Sequence, residues 1–390
     1  MASGLMEYEC PACGGPLKFN ATKQMLTCEF CGSDYPEDIF AQTEAQATAE
    51  ANDAKMAAGV AGVGADLAQN PEQEAELDEH GMPVKLNIDF DAELSNRDTL
   101  QGHTLVSCKS CGAEIVSNAE TVSTECLYCG NPVVLQQNVR GVVRPDYVLP
   151  FKIEKKDAVN ILKDFYKGKK LLPNEFKNNN KIEKIAGVYV PFWMFNCESE
   201  ADLQFTGVNL RTWSDSEYNY TESSYYNVRR AGNMQFDKVP VDASIKMEDN
   251  FMDGIEPFDY SEIKDFSPMY LAGYYADKYD VNVEDCTNRI KLRVENTLVS
   301  ELKASANYDT LTTKNAEKSL NINEVKYALI PVWMLNTRYN GVMYQFAING
   351  QTGKVSGILP IDKGKLSMYK LGAGAIAGLV SYLVALMFFV

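Results

Sequence analysis

The sequence predicts an α+β protein with two four-cysteine zinc ribbons, a linker, a duplicated α+β region and a C-terminal transmembrane helix. Three observations carry that prediction. Eight of the ten cysteines fall in C-x-x-C pairs, a nine-residue phrase recurs at an offset of 140, and the last twenty residues hold no charge.

The cysteine pairs are Cys10 and Cys13 (CPACGG), Cys28 and Cys31 (CEFCG), Cys108 and Cys111 (CKSCG), and Cys126 and Cys129 (CLYCG). Two residues between sulfurs let one tight turn offer both thiolates to one metal ion. Fourteen residues separate the pairs in both ribbons, enough for a hairpin that returns the second pair to the first. Each second cysteine is followed by a glycine (Gly14, Gly32, Gly112, Gly130), which can take the positive φ such a turn favours. Four thiolates at about 2.3 Å close a tetrahedron with no open position, so each site is structural and not catalytic. Two structural zinc ions are expected. Iron in a rubredoxin-like site is the nearest competitor, and ligands exchanged between the ribbons are an alternative to pairing within each. Met1 to Cys10 shows neither the basic residue nor the apolar run of an export signal. Cysteines kept inside a cell stay reduced, which favours metal over disulfides.

Charge narrows the partners. The net charge of −16, from 53 acidic against 37 basic residues, opposes a nucleic-acid role, because such binding needs clustered Lys and Arg. Residues 1–40 carry Lys18 and Lys23 against six acids, and residues 100–140 carry Lys109 and Arg140 against Glu114, Glu120 and Glu125. A zinc tetrathiolate adds about −2 more. Neither ribbon has a basic face, and protein contact is the better reading of both.

The chain divides into ribbon 1 (1–40), an acidic Ala/Glu-rich linker (41–102), ribbon 2 (103–140), an α+β region (141–365) and a terminal span (371–390). Within the linker, Asn87 to Glu93 alternates apolar and acidic residues and suggests a short strand. Its acids resemble the start of a calcium loop, but Leu94 stands where that loop needs glycine. In the α+β region, Tyr147 to Ile153 reads as a strand, and Lys155 to Lys167 reads as a helix stopped by Gly168. A second helix covers about Val283 to Leu302, with Val283, Cys286, Ile290, Val294 and Leu298 on one face and Asn282 as cap. The repeat pairs Val188 to Asn196 (VYVPFWMFN) with Ala328 to Asn336 (ALIPVWMLN), and Ile182 and Ile185 fall on Ile322 and Val325. Each copy follows a strand and a helix, which predicts a duplicated strand–helix–strand unit. The proline inside each copy suggests an edge strand or a bulge. Trp193 and Trp333 read as core aromatics rather than ligand platforms. Asn349-Gly350 marks a hairpin turn.

An enzyme reading finds little support. The two histidines are His80, in the linker, and His103, five residues before Cys108. No nucleophile elbow, zinc-protease helix or dinucleotide fingerprint appears. Gly350-x-x-Gly353-Lys354 is too short for a phosphate loop. Cys197 and Cys286 read as inert core thiols, and the acidic run from Glu248 to Glu262 reads as a solvated face.

Leu371 to Val390 would form a helix about 30 Å long, the thickness of a bilayer core. Lys363, Lys365 and Lys370 precede it, which favours a cytosolic location for the N-terminal bulk. Gly374 and Gly378 form a GxxxG pair that can bring two helices together as a homodimer.

Ribbons of the form CPxCGG…CxxCG resemble the transcription-factor-IIB-type zinc ribbon. The phrases IEPFDYSEIKDFSPMYLAGYYADKYDV (255–281) and IPVWMLNTRYNGVMYQFAINGQTGKVSGILP (330–360) resemble those of bacterial, mostly Firmicutes, zinc-ribbon membrane proteins. Relatives of that kind are often labelled replication-factor-Y or primosomal helicase-like, although this chain lacks the helicase phosphate loop. Some are encoded beside phage-shock and flotillin-like proteins, which implies a part in envelope stress. The resulting expectation is a non-catalytic adaptor or scaffold, held in the cell membrane by a single span with its bulk in the cytoplasm. The alternatives are a nucleic-acid-binding protein of replication or transcription, and an enzyme with an unrecognised site in 141–365.

Overall fold

The computed structural model describes residues 8–36, 39, 76–77, 83–86, 104–108, 111–117, 126–128, 143–179, 182–246 and 249–389. Its organising element is one pair of long antiparallel strands, β9 (Ala186–Ser214) and β13 (Thr310–Tyr339). Val, Ile, Phe, Tyr and Trp crowd the first half of β9 and the second half of β13, where both faces of the sheet are covered. Those two stretches are the repeated phrases, and they pair with each other. Val190 lies opposite Ile330, Val188 opposite Val332, and Trp193 opposite Tyr327. Val190 and Ile330 are equivalent positions of the two copies, so a local pseudo-two-fold axis runs through that pair.

The rest of each unit obeys the same axis. Strand β8 (Tyr147–Val148) and helix α1 (Lys155–Phe165) precede β9; strand β12 (Tyr275–Asp277) and helix α4 (Thr287–Ala304) precede β13. The short strands are exchanged between the units. Tyr147 and Val148 pair in parallel with Ala328 and Leu329 of β13, while Tyr275 and Ala276 pair in parallel with Val188 and Tyr189 of β9. The tryptophans lock the exchange: Trp193 Nε1 donates to the Val281 carbonyl just beyond β12, and Trp333 Nε1 donates to the Ile153 carbonyl just beyond β8, each at 2.9 Å. Both indoles are buried, so they are core residues. The predicted strand–helix–strand duplication is thus present, in an interlocked form.

The repeated prolines are neither on an edge strand nor at a bulge. The bulges in the β9–β13 ladder fall between Thr313 and Asn315 and between Ile322 and Glu324. On the outer side of β9 the neighbour changes from β12, ending opposite Tyr189, to β10 (Asn219–Asp242), beginning opposite Phe192. Pro191 sits in that gap. Its carbonyl accepts from Ala243 N at 2.9 Å, and the missing N–H faces the same side, where no ladder partner stands among the described residues. Pro331 occupies the matching gap between β8 and β14 (Val342–Asn349), with its carbonyl accepting from Gly350 N at 2.9 Å.

Helix α4, together with the turn that leads into it, buries the expected stripe of Val283, Cys286, Ile290, Val294 and Leu298. It begins later than expected, after a 3-10 turn over Glu284–Cys286, and Asn282 does not cap it. Gly168, at φ 73°, follows α1 as expected. The predicted Asn349-Gly350 turn is not two-residue: β14 and β15 (Val355–Gly357) are joined through residues 350–354, with Gly353 at φ 80°. Gly350 is needed for space, because a Cβ there would lie 2.7 Å from the Phe151 ring. The two-residue turn is Asn340-Gly341, both at positive φ, joining β13 to β14. Within the span read as linker, β5 (Pro83–Leu86) pairs in parallel with Leu320, Asn321 and Ile322 of β13, and β4 (Glu76–Leu77) pairs with β5. The strand expected at 87–93 lies outside the described residues. Two short helices, α2 (Asn174–Asn179) and α3 (Asp249–Ile255), and strand β11 (Lys264–Asp265), antiparallel to β8, also belong to the region.

The last helix, α5, runs Lys363–Phe389. Among the described residues no helix is long and apolar enough to cross a membrane. The transmembrane helix expected over 371–390 is thus not supported: within α5 the apolar stretch is preceded by Lys363, Lys365 and Lys370. The side chains of 383–390, which complete the expected span, lie outside the described residues. Residues 371–382 are exposed along their whole length, Gly374 and Gly378 among them.

Replacing Trp193 or Trp333 by Phe removes an indole N–H, leaves a part-buried carbonyl without that donor and opens a small void. Each change is expected to cost about 2–4 kcal/mol of unfolding free energy in urea. The two costs should agree within about 1 kcal/mol, because the positions are equivalent. A neutral result at either would contradict the lock.

Candidate metal centres

Ribbon 1 is a three-stranded antiparallel sheet of β1 (Leu17–Asn20), β2 (Met25–Cys28) and β3 (Asp34–Tyr35). Its two knuckles are built alike. Gly14 N donates to the Cys10 carbonyl at 2.8 Å and Gly32 N to the Cys28 carbonyl at 2.9 Å. Each turn closes with glycine at positive φ, 70° and 75°. A Cβ at either position would meet nothing within 4 Å, so backbone conformation and not space selects glycine. The turns bring Cys10, Cys13, Cys28 and Cys31 together with all four sulfurs within 4.8 Å of one another. Cys10–Cys31 and Cys13–Cys28 are each 3.5 Å apart. A tetrahedron of sulfurs about 2.3 Å from zinc has edges of about 3.8 Å, so the cluster fits that ion with little movement.

The electrostatics favour a cation. The Tyr35 hydroxyl, 3.3 Å from Cys10 Sγ, draws that thiol down to about 6 despite burial. The Ser33 hydroxyl lies 3.3 Å from Cys31 Sγ and lowers that thiol too. Cys13 moves the other way. The Gly15 backbone N–H lowers it, but the neighbouring Cys28 and Cys31 thiols and burial outweigh that and push it up to about 12. Four sulfurs this close cannot all ionise without a positive ion between them.

In ribbon 2, Cys108, Cys111 and Cys126 form an equivalent group, with Cys111 and Cys126 3.7 Å apart. Gly112, at φ 72°, repeats the knuckle, its N–H donating to the Cys108 carbonyl at 2.8 Å. Cys129 and Gly130 lie outside the described residues, as do His80 and His103. Both cysteine clusters can bind zinc. No metal group combines cysteines of the two ribbons among the described residues.

Both ribbons sit on one segment, residues 268–278. Ribbon 1 docks through β1: Phe19 N donates to the Ala272 carbonyl at 3.0 Å, and the Phe19 ring meets Tyr270 edge-on at 5.0 Å. Gln24 Nε2 reaches the Phe151 carbonyl at 2.7 Å, and Thr22 donates to Glu154 at 2.9 Å. Ribbon 2 joins the large sheet itself. Its strand β7 (Glu114–Ser117) pairs with β6 (Thr104–Ser107) on one side and with Ala276 and Asp277 of β12 on the other. A cleft of about 720 Å³ remains between the ribbons, bordered by Lys18 and Glu29 of ribbon 1, Cys126 of ribbon 2, and Tyr274, Trp333 and Asn336 of the sheet. Cys197 and Trp193 do not border it. Burial pushes the Cys197 thiol up to about 12, and Cys286 Sγ faces the Asp242 carbonyl. The acidic run is tied up internally: Arg293 holds Asp253 at 2.8 Å and Glu256 at 3.1 Å, and Glu262 pairs with Lys152.

Sequence reasoning missed the fates of the aromatic residue inside each second knuckle. Phe30 (CEFC) is 76% exposed, with its ring resting over Gly15, whereas Tyr128 (CLYC) turns inward. Tyr128 OH donates to Asp277 at 2.8 Å, and Ser244 donates to the same carboxylate at 2.6 Å. The pattern of the knuckles is the same, and only the docking of ribbon 2 separates them.

Burial pushes the Asp277 carboxyl up to about 7, against the two hydrogen bonds that lower it. Between about pH 4 and 7 the folded protein therefore holds a proton that the unfolded chain, titrating near 4, has released. Stability is expected to fall as pH rises from about 4 to 7 and to level off above that. Comparing Asp277→Asn with the parent between pH 5.5 and 8 in urea isolates this group from thiolate protonation. The difference between the two should change across the window in that direction; a constant difference would contradict the burial argument.

Residues 9–36, which hold all four cysteines of ribbon 1, match the family described as Trm112p-like protein. This is the family likeness found for the ribbon that the sequence alone set beside the transcription-factor-IIB type. No solved structure matches the chain. A protein of Bacillus subtilis (strain 168), described as "Uncharacterized protein YdjG", is 35% identical over 256 residues, which cover 65% of this chain and 75% of that protein. Neither match carries a helicase-like description. A zinc-binding module at the N-terminus accords with the Trm112p-like match, and the chain belongs to the family of the Bacillus YdjG protein.

Proposed function

We propose that the protein is a non-catalytic adaptor at the cell membrane, in which two structural zinc ions fix ribbon surfaces for protein partners. The observation that carries this reading is the contrast between the two knuckle aromatics. Ribbon 2 spends Tyr128 on the sheet, while ribbon 1, docked through β1, leaves Phe30 outermost and supported by Gly15. An exposed aromatic on a rigid, metal-closed turn is the kind of anchor that dominates protein interfaces. The net charge of −16 argues against phosphate backbones as the partner.

Membrane attachment would come from α5. Leu371, Ile376 and Leu379 are each more than half exposed, and bilayer lipid would cover them. Three lysines precede them, which would keep the ribbons on the cytosolic side. The resemblance to proteins encoded beside phage-shock and flotillin-like genes makes such membrane-stress proteins the first partners to examine.

In cells, the full chain should float with membranes, and a chain ending at Asp362 should not. A photocrosslinker placed at Phe30 should capture a defined protein, whereas one at Lys23 of the same ribbon should not. Phe30→Asp should abolish co-purification of that same protein with the full chain while metal content stays at one zinc per ribbon. Equal capture from both positions, or salt-sensitive binding of DNA or RNA by the purified protein, would contradict the proposal. Cys28→Ser should remove one zinc and leave the other. Visible absorbance of a ferric tetrathiolate in the purified protein would replace zinc by iron.

A further inference from the structure

Beyond the core, β9, β10 and β13 continue as a three-stranded arm. Helix α4 covers one face of its inner part, where Leu203, Phe205 and Val228 pack with Leu298. The outer part is solvent-exposed, and β10 ends the sheet: among the described residues its 24-residue length pairs with β9 alone. An edge of that length offers a row of unpaired N–H and C=O groups, which proteins ordinarily blunt with proline, bulges or inward charges. Between Asn219 and Phe236 the register with β9 runs unbroken and contains no proline. This stretch leaves its outer edge open to another strand.

We infer that it accepts β10 of a second copy of this chain, antiparallel, about a two-fold axis at Tyr226. The register follows from the residues. Centring on Tyr226 keeps each side chain on the same face as its partner and places Glu222 opposite Arg230 of the other copy, twice by symmetry. Both groups are available. Glu222 makes no ion pair among the described residues; its neighbour across β9, Arg211, lies over the Trp213 ring at 5.6 Å instead. Arg229 is committed to Asp202, but Arg230 donates to the Ser305 hydroxyl at 3.2 Å and the Arg229 carbonyl at 3.0 Å and meets no carboxylate among the described residues. The same register sets Tyr220 opposite Gly232, the strand's one glycine, so the largest side chain faces the smallest. Tyr226, 45% exposed and resting against Tyr308 at 5.4 Å, meets its own copy at the axis. The result is a continuous six-stranded sheet across two chains, which would present two sets of ribbons. This inference is independent of the adaptor reading.

The test uses full-length protein in detergent. Light scattering should give a dimer, and Tyr226→Cys should form a disulfide-linked dimer under mild oxidation, since residues facing each other across strands lie within disulfide reach. Ser223→Cys should not, because its copy would be about 20 Å away. Glu222→Arg alone and Arg230→Glu alone should each weaken the dimer about tenfold, from like charges facing at two symmetric positions. The double swap should restore it. Gly378→Leu, in the terminal helix, should leave the dimer intact. A monomer, a dimer abolished by Gly378→Leu, an open-ended polymer, or charge swaps without effect would each overturn the inference.

Discussion

The pairing of Val190 with Ile330 is the constraint on which the rest of the structure depends. It joins two copies of one phrase head to tail, and every other feature of the α+β region follows the axis it defines. The exchanged strands β8 and β12, the paired indole bonds and the two prolines at the gaps in the outer ladders are equivalent pairs. An antiparallel pairing of like sequences gives each unit the other's first strand as a neighbour. Neither unit can then bury its own long strand alone, so the two fold as one body. Divergence is confined to what lies outside the axis: β9 and β10 extend into a long arm, while β13 and β14 turn back early at Asn340-Gly341.

The same axis explains where the ribbons sit. Segment 268–278 leads into the exchanged strand β12, and it offers a carbonyl at Ala272 to ribbon 1 and a strand edge at Ala276 and Asp277 to ribbon 2. The cysteine clusters thereby sit where they tie the ribbons to the sheet as well as supporting exposed side chains. Hairpins of this size bury too little to hold shape unaided, and the docking surface on the sheet supplies part of what they lack. Ribbon 2 is committed further, through Tyr128 and the buried Asp277. Ribbon 1 keeps Phe30 in solvent.

Much of this was legible in the sequence because it rests on local chemistry. C-x-x-C-Gly specifies the knuckle and its left-handed glycine, and the spacing of Val283, Cys286, Ile290, Val294 and Leu298 specifies the buried face of α4. The matched PxWMxN phrases disclosed the duplication. What the sequence hid depends on long-range pairing. Proline reads as an edge or bulge signal until the change of outer neighbour at Pro191 and Pro331 is seen. Asn349-Gly350 and Asn340-Gly341 look alike as dipeptides, and only the packing of Phe151 against Gly350 distinguishes close approach from turn. Phe30 and Tyr128 occupy equivalent positions, and nothing local tells which one turns inward.

The central claim is that the ribbons are structural parts of the duplicated sheet. Hydrogen exchange on the full chain, before and after metal is stripped by a chelator, tests it most directly. The account predicts much faster exchange at residues 276–278, where β12 meets ribbon 2, and at Phe19, with protection retained around Val190 and Ile330. Unchanged protection at 276–278 in metal-free protein would show that the ribbons are passengers and would contradict the account.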